Sequence, residues 1–226
     1  MRTASRDLPH GVLDVHPQAP FHAPLAPGLH ELDTPTKPAV LHVPIHLPLR
    51  PVPLLVAFHK AGGAPDDMLA LLRAEAERRK FLLLAPRAHR VTWDAVVGRR
   101  FGKDAVSVQH AMAAVFGQFP VDRDRIAVAG FSDGASYALG LGLANGDLFS
   151  RVLAYSPGRV PPGCRTGRPT IFVSHGRRDT VLPVTRTSRR IVPALEDAGY
   201  HVDYLEHDFG HHVPQDVVTA STELLG

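Results

Sequence analysis

From residue 52 onward the chain alternates short, almost wholly apolar runs with longer segments that are apolar on one face only, and that alternation narrows its fold more than any other feature. Val52–Phe58 and residues 81–85 and 125–131 have the length and character of strands buried on both faces of a parallel sheet. Residues 66–80 and 101–119 instead repeat apolar side chains at helical spacing, with Met68, Leu69, Leu72 and Ala76 in the first and Val108, Met112, Val115 and Phe116 in the second. A helix over 135–144, strands over 151–155 and 170–174, a last strand over 201–206 and a closing helix over 213–225 continue the series. Between the last three, residues 183–198 read as a helix with Pro183 near its first turn, Gly199 at its end and a kink at Pro193. The expected architecture is an α/β fold, a mainly parallel twisted sheet with helices on both faces and little or no cap domain. In such sheets chemistry gathers at the carboxyl ends of the strands.

Residues 1–50 differ in character. They hold many of the 21 prolines and six of the 14 histidines, at His10, His16, His22, His30, His42 and His46, a composition that speaks for extended edge strands and turns. Leu41, Val43, Ile45 and Leu47 alternate with His42, Pro44 and His46, the period of a half-buried antiparallel strand with both histidines on one face. Histidines so placed are solvated more often than they bind metal, and no metal site is expected.

The chain has 226 residues, 44% hydrophobic and 21% charged, and no Gly/Ser-rich or long charged linker divides it, so residues 1–226 read as one domain whose α/β core spans 52–225. The formal net charge is +3, but the basic residues are scattered in pairs such as Arg78-Arg79 and Arg189-Arg190, and aromatics are only 7%; nucleic acid is not an expected partner. A single cysteine, Cys164, allows no internal disulfide and no cysteine-based zinc site. Met1 to Gly11 has charges but no apolar core for a secretory signal, and no stretch is long enough to span a membrane. The expectation is a cytoplasmic monomer or homodimer.

The strand over 125–131 runs into Gly130-Phe131-Ser132-Asp133-Gly134, the G-x-S-x-G pattern of a serine on a sharp strand-to-helix turn. Ser132 is the candidate nucleophile. A serine hydroxyl needs a base to take its proton, and the imidazole needs a carboxylate to orient it. Two other strands deliver such groups just past their ends: Asp179 after the strand ending near Ser174, and His211 after the strand ending near Glu206. His212, His207 and His175 compete as base, and His211 is preferred because it follows Gly210 in a turn directly after the last strand. Asp208 competes as acid but is too near His211 in sequence to reach round; Asp179 also reads as a helix-capping aspartate. A second turn, His59-Lys60-Ala61-Gly62-Gly63, follows Val52–Phe58, and the backbone N–H groups of Ala61 and Asp133 are the candidate donors to a developing oxyanion.

These stretches, together with Ser174-His175-Gly176 through Asp179-Thr180-Val181-Leu182-Pro183 and Gly210-His211-His212-Val213-Pro214, resemble the α/β-hydrolase serine esterases, the group of bacterial carboxylesterases, phospholipase/carboxylesterase proteins and polyhydroxybutyrate-depolymerase-like esterases. The resemblance covers roughly residues 52–225. It implies Ser132 as nucleophile, Asp179 as acid and His211 as base, in the chain order usual for the fold. It also implies a small-molecule ester substrate of short acyl chain and no cofactor. Lysophospholipase or acyl-thioesterase activity on the same residues, and a hydrolase-fold protein that binds a ligand without turning it over, are the alternatives. In one respect the chain departs from the pattern: Lys60 replaces the glycine usual after the first histidine, which either conflicts with that turn's backbone angles or puts a cation at the mouth of the site. His59, Lys60, Trp93, Asp94 and Ser156 are the candidate substrate-contacting residues, with Trp93 and Asp94 expected in a long loop.

Overall fold

The computed structural model describes Leu8 and residues 10–225. Its strands are β1 (Gly28–Leu32), β2 (Ala39–Val43), β3 (Val52–Phe58), β4 (Leu82–Ala85), β5 (Val121–Phe131), β6 (Arg151–Tyr155), β7 (Thr170–Gly176) and β8 (Val202–His207). Its helices are α1 (Pro65–Arg79), α2 (Asp94–Gly98), α3 (Lys103–Gln118), α4 (Asp133–Ala144), α5 (Ser188–Asp197) and α6 (Gln215–Thr222). All eight strands join one sheet in the order β1-β2-β4-β3-β5-β6-β7-β8. β1 and β2 run antiparallel to their neighbours, and β3 through β8 are parallel.

The apolar runs read as central strands are central because consecutive side chains feed different cores. Leu54, Val56 and Phe58 of β3 meet Val108, Met112 and Val115 of α3 and Leu139 of α4. Their neighbours Leu55 and Ala57 meet Met68 and Leu72 of α1 and Val217 of α6. A strand with helices on both sides has no face left for water, which is why its sequence lacks polar alternation. Glu75, buried on α1, joins the helices of the second face: it accepts hydrogen bonds from Thr219 and Thr222 of α6 and from Arg79. No helix among the described residues is long and apolar enough to cross a membrane.

Four expectations need correction or restriction. The strand expected over 41–47 ends at Val43, and the two histidines do not share a face: His42 is buried with Nε2 3.0 Å from Glu77 Oε1, while His46 is exposed. The Glu77 carboxylate also accepts the Ile45 N–H, at 3.1 Å from one oxygen, which draws the chain off the sheet edge beyond Pro44. The helix expected over 183–198 is two pieces, a 3₁₀ turn over Val184–Arg186 and then α5, and the break falls at Thr187 rather than at Pro193. Residues 94–98, expected as loop, form the short helix α2. The secretory-signal reading of Met1 to Gly11 falls mostly outside the described residues.

The crossing of α4 over β3 leaves no space for a side chain at Gly134, where a Cβ would collide with the backbone carbonyl of Phe58. Because Phe58 ends a strand hydrogen-bonded to β5, its carbonyl cannot withdraw without disturbing the sheet. Gly134→Ala is therefore expected to cost about 3 kcal/mol or more, lowering the melting temperature by roughly 6–12 °C in a chain of this size. A thermal melt within a degree or two of the parent would contradict the contact.

Candidate active site

Three strand ends meet. Ser132 lies at the turn from β5 into α4 with φ 59° and ψ −118°, a left-handed setting that costs a non-glycine residue about 1–3 kcal/mol and holds only where its surroundings enforce it. Two backbone hydrogen bonds enforce it here, from the Ser132 N–H to the Tyr155 carbonyl at 2.9 Å and from the Ser136 N–H to the Ser132 carbonyl at 3.0 Å. The turn lifts Oγ out of the sheet toward His211, whose Nε2 is 3.0 Å away. His211 Nδ1 lies 2.6 Å from Asp179 Oδ2. Since a carboxylate only accepts, Nδ1 carries the proton, and Nε2 is left as acceptor for the serine hydroxyl. The ring of Phe131 lies against the imidazole with centroids 4.8 Å apart.

Asp179 is held from every side. Its Oδ1 accepts the backbone N–H groups of Val181 and Leu182 at 2.9 and 2.8 Å, so the aspartate caps its own loop as well as facing the imidazole. Burial works to raise its pKa, but the Leu182 N–H and then His211 outweigh it, and the carboxyl rests below its usual range. Behind it, fully buried at the end of β7, is His175. Its Nε2 faces two acceptors, the Leu182 carbonyl at 2.7 Å and Asp179 Oδ2 at 3.2 Å, so that nitrogen carries the proton and donates to both; Nδ1 accepts from the Ser188 hydroxyl at 2.7 Å. Burial lowers the pKa of the ring and favours this neutral form. His175 and His211 thus converge on the same oxygen, Asp179 Oδ2. The sequence signal was present, a histidine closing an apolar strand, but it read as a rival base rather than a support.

The other histidines stand apart. His212 is exposed, with its ring against Phe209 at 4.9 Å, and His207 is buried near His212. Neither hydrogen-bonds Ser132 or Asp179. Asp208 is drawn outward to Arg177 at 2.8 Å.

The second turn, residues 59–63, is built around an inward histidine. His59 Nε2 accepts the Ala88 N–H at 3.1 Å, Nδ1 donates to the Lys60 carbonyl at 2.7 Å, and the His59 carbonyl accepts from Trp93 Nε1 at 2.8 Å. Burial pushes the His59 pKa down, in keeping with the neutral ring this pattern needs. The left-handed backbone of the turn falls on Gly62, with φ 67°, and not on Lys60. A lysine is therefore tolerated at that position, and its amine folds back to Asp67 Oδ1 at 3.4 Å. The Gly62 N–H donates to the Val91 carbonyl at 2.7 Å. Among the described residues no acceptor takes the N–H of Ala61 or of Asp133, and the Asp133 carboxylate accepts the Thr92 hydroxyl at 2.7 Å.

Three residues expected to touch substrate do not face solvent. Trp93 is buried between Phe58 and Tyr137, with ring centroids 5.0 and 4.8 Å away; His59 is buried by its own hydrogen bonds; and Ser156 is buried beneath the site, its N–H on the Ser174 carbonyl. Trp93 and His59 are held by packing and backbone pairing, whereas the Ser156 hydroxyl is buried without a hydrogen-bond partner. Asp94 is half-buried and exchanges hydrogen bonds with Asp104 at 2.7 and 3.0 Å; burial, followed by repulsion from Asp104, pushes its carboxyl up to about 6.

No family model matches the chain, and no curated protein matches it. Solved structures do. The fluorophosphonate-binding serine hydrolase FphF of Staphylococcus aureus is similar with TM-score 0.69 and 13% identity over 89% of this chain and 100% of that one. The esterase PE8 gives 0.63 and 20% over 89% and 98%, and the Bacillus cereus carboxylesterase 0.61 and 18% over 83% and 92%. At such identities the likeness speaks to architecture alone. Joined to the strand order and the strained Ser132 turn, it shows that the chain has the α/β-hydrolase fold.

Proposed function

We propose that the chain is a serine hydrolase of carboxylic esters, with Ser132 as nucleophile, His211 as general base and acid, and Asp179 as the carboxylate that orients His211. The observation that carries this reading is the continuous proton path from Ser132 Oγ through the His211 ring to Asp179 Oδ2, at 3.0 and 2.6 Å. Ser132 Oγ attacks the ester carbonyl carbon while its proton passes to His211 Nε2. The carbonyl oxygen becomes an oxyanion held by the N–H groups of Asp133 and Ala61, each worth about 10²- to 10³-fold in rate. Collapse expels the alcohol, which takes the proton from Nε2, and leaves the acyl group on Ser132. Water then attacks the acyl carbon, gives its proton to Nε2, and the second oxyanion collapses to release the acid and reprotonate Ser132. None of these steps calls on a cofactor. The neighbours named esterase, carboxylesterase and serine hydrolase support the same reading.

The experiment is active-site labelling with a fluorophosphonate, followed by peptide mapping and assay of 4-nitrophenyl esters from acetate upward. The label is expected on Ser132 alone. His211→Ala should abolish labelling and lower kcat on the order of 10⁶-fold, whereas His212→Ala should label and turn over as the parent does. A label on another residue, or equal damage from both histidine variants, would overturn the assignment.

A further inference from the structure

A cavity of about 640 Å³ lies between residues 89–92 and residues 94–104, within the size range of small-ligand sites. It does not contain Ser132. It shares a wall with both turns that flank Ser132: the Val91 carbonyl accepts the Gly62 N–H of one, and the Thr92 hydroxyl donates to Asp133 of the other. A molecule seated in it would therefore lie against Val91 and Thr92, the residues whose hydrogen bonds hold those two turns.

The chemistry of the lining is uneven. Val91, Val97 and Phe101 supply apolar surface, and Arg90, Arg100 and Lys103 are three exposed cations. None of the three forms an ion pair among the described residues, so all three charges are free to meet a ligand. Of the two carboxylates on the wall, Asp104 accepts the backbone N–H groups of His89 and Asp94, Asp94 Oδ2 accepts the N–H of Asp104, and the other Asp94 oxygen, Oδ1, is buried without a hydrogen-bond partner. What the cavity offers a ligand is an apolar trough with unpaired positive charge along it. Guanidinium groups in that setting are matched to carboxylate or phosphate oxygens.

We propose that this cavity is the specificity subsite for an anionic group, a carboxylate or phosphate borne by the ester at a distance from its scissile carbonyl, held by Arg90, Arg100 and Lys103. The proposal rests on the ester-hydrolase reading of Ser132 and adds the substrate class: the enzyme prefers esters that carry a negative charge over neutral esters of the same size.

The test compares matched pairs on the full chain. In one pair the charge is on the acyl side, mono-4-nitrophenyl glutarate against its neutral methyl ester; in the other it is on the alcohol side, 4-acetoxybenzoate against methyl 4-acetoxybenzoate. For each pair the anionic-to-neutral ratio of kcat/KM is measured in the parent and in Arg90→Gln/Arg100→Gln, so that intrinsic reactivities cancel. The double variant is expected to lower that ratio about tenfold or more in at least one pair, mainly through KM, because a charge-assisted contact is lost. Raised salt should lower the parent ratio in the same pair. Arg99→Gln removes the same charge beside the cavity but outside its lining, and should leave the ratio where it is. If both ratios are the same in the double variant as in the parent, or if Arg99→Gln lowers them as much, the subsite is refuted while labelling and turnover at Ser132 leave the hydrolase reading standing. If neither charged nor neutral esters turn over and Ser132 takes no fluorophosphonate, it is the hydrolase reading itself that fails.

Discussion

Ser132→Ala is expected to remove esterase activity almost completely, on the order of 10⁶-fold in kcat, with the fold intact. The loss is large because the remaining groups have nothing to act on: His211 would accept no proton from a methyl group, and the oxyanion donors would polarise a carbonyl that no nucleophile attacks. The fold should survive because alanine keeps the Cβ that serine already carries at φ 59°, and the hydroxyl's one hydrogen bond is to the partly exposed His211. Ser132→Gly separates activity from strain. It is as inactive as alanine, but glycine adopts that backbone freely, so the melting temperature should rise by roughly 2–4 °C over Ser132→Ala. Steady-state assay beside thermal melts of both variants checks the pair. Residual turnover above a trace in either would remove Ser132 from the mechanism.

Asp179→Asn should lower kcat by about 10⁴-fold with far less effect on KM, and the reason is a tautomer. The amide oxygen can still accept the Val181 and Leu182 N–H groups, so the loop keeps its cap. The amide nitrogen then takes the place of Oδ2 and points a donor at His211 Nδ1, which lies 2.6 Å from that position in the parent. Nδ1 answers as acceptor, the proton moves to Nε2, and Nε2 faces the Ser132 hydroxyl with a hydrogen instead of a lone pair. The base is present and in place but holds its proton at the wrong nitrogen. The same exchange sets an N–H against the His175 Nε2–H, so a modest fall in melting temperature should accompany the rate loss. Retention of activity within about tenfold would move the acid role to another carboxylate, since a merely structural aspartate has no such hold on the tautomer.

The strands and helices of the core were legible because their cause is local. Val52–Phe58 and Arg151–Tyr155 coincide with the expected strands, since a strand covered on both faces is apolar over its buried length, which in the second starts after the half-buried Arg151. Helix α4 could be read because an apolar strand runs into G-x-S-x-G and a helix-like apolar segment follows it; the pattern alone fits ordinary loops as well. Errors came where a distant residue decided. Glu77 on α1 ends the strand after Val43 by taking the Ile45 N–H, a contact that alternation cannot show. Residues 94–98 are too short to display helical periodicity and owe their turn partly to Asp94 and Asp104 binding each other's backbone. The break at Thr187 precedes the proline blamed for it, because the Pro183 carbonyl already accepts both the Arg186 N–H and the Thr187 hydroxyl.

For the site the division is similar. Sequence by itself determined that a strained serine turn exists at 132, that a glycine-containing turn follows β3, and that acidic and basic candidates fall beyond later strands, because each is a property of a few contiguous residues. Tertiary structure decided the rest. It placed His211, not His212, within hydrogen-bonding distance of Ser132 and Asp179, set His175 against Asp179, turned Trp93 and His59 inward, folded Lys60 back to Asp67, and left a cavity beside Val91 and Thr92. All of these depend on distances between groups far apart in the chain, 79 residues in the case of Ser132 and His211. Hydrogen bonds and ion pairs form or fail within an ångström, and no local pattern encodes a distance that the packing of the whole sheet sets.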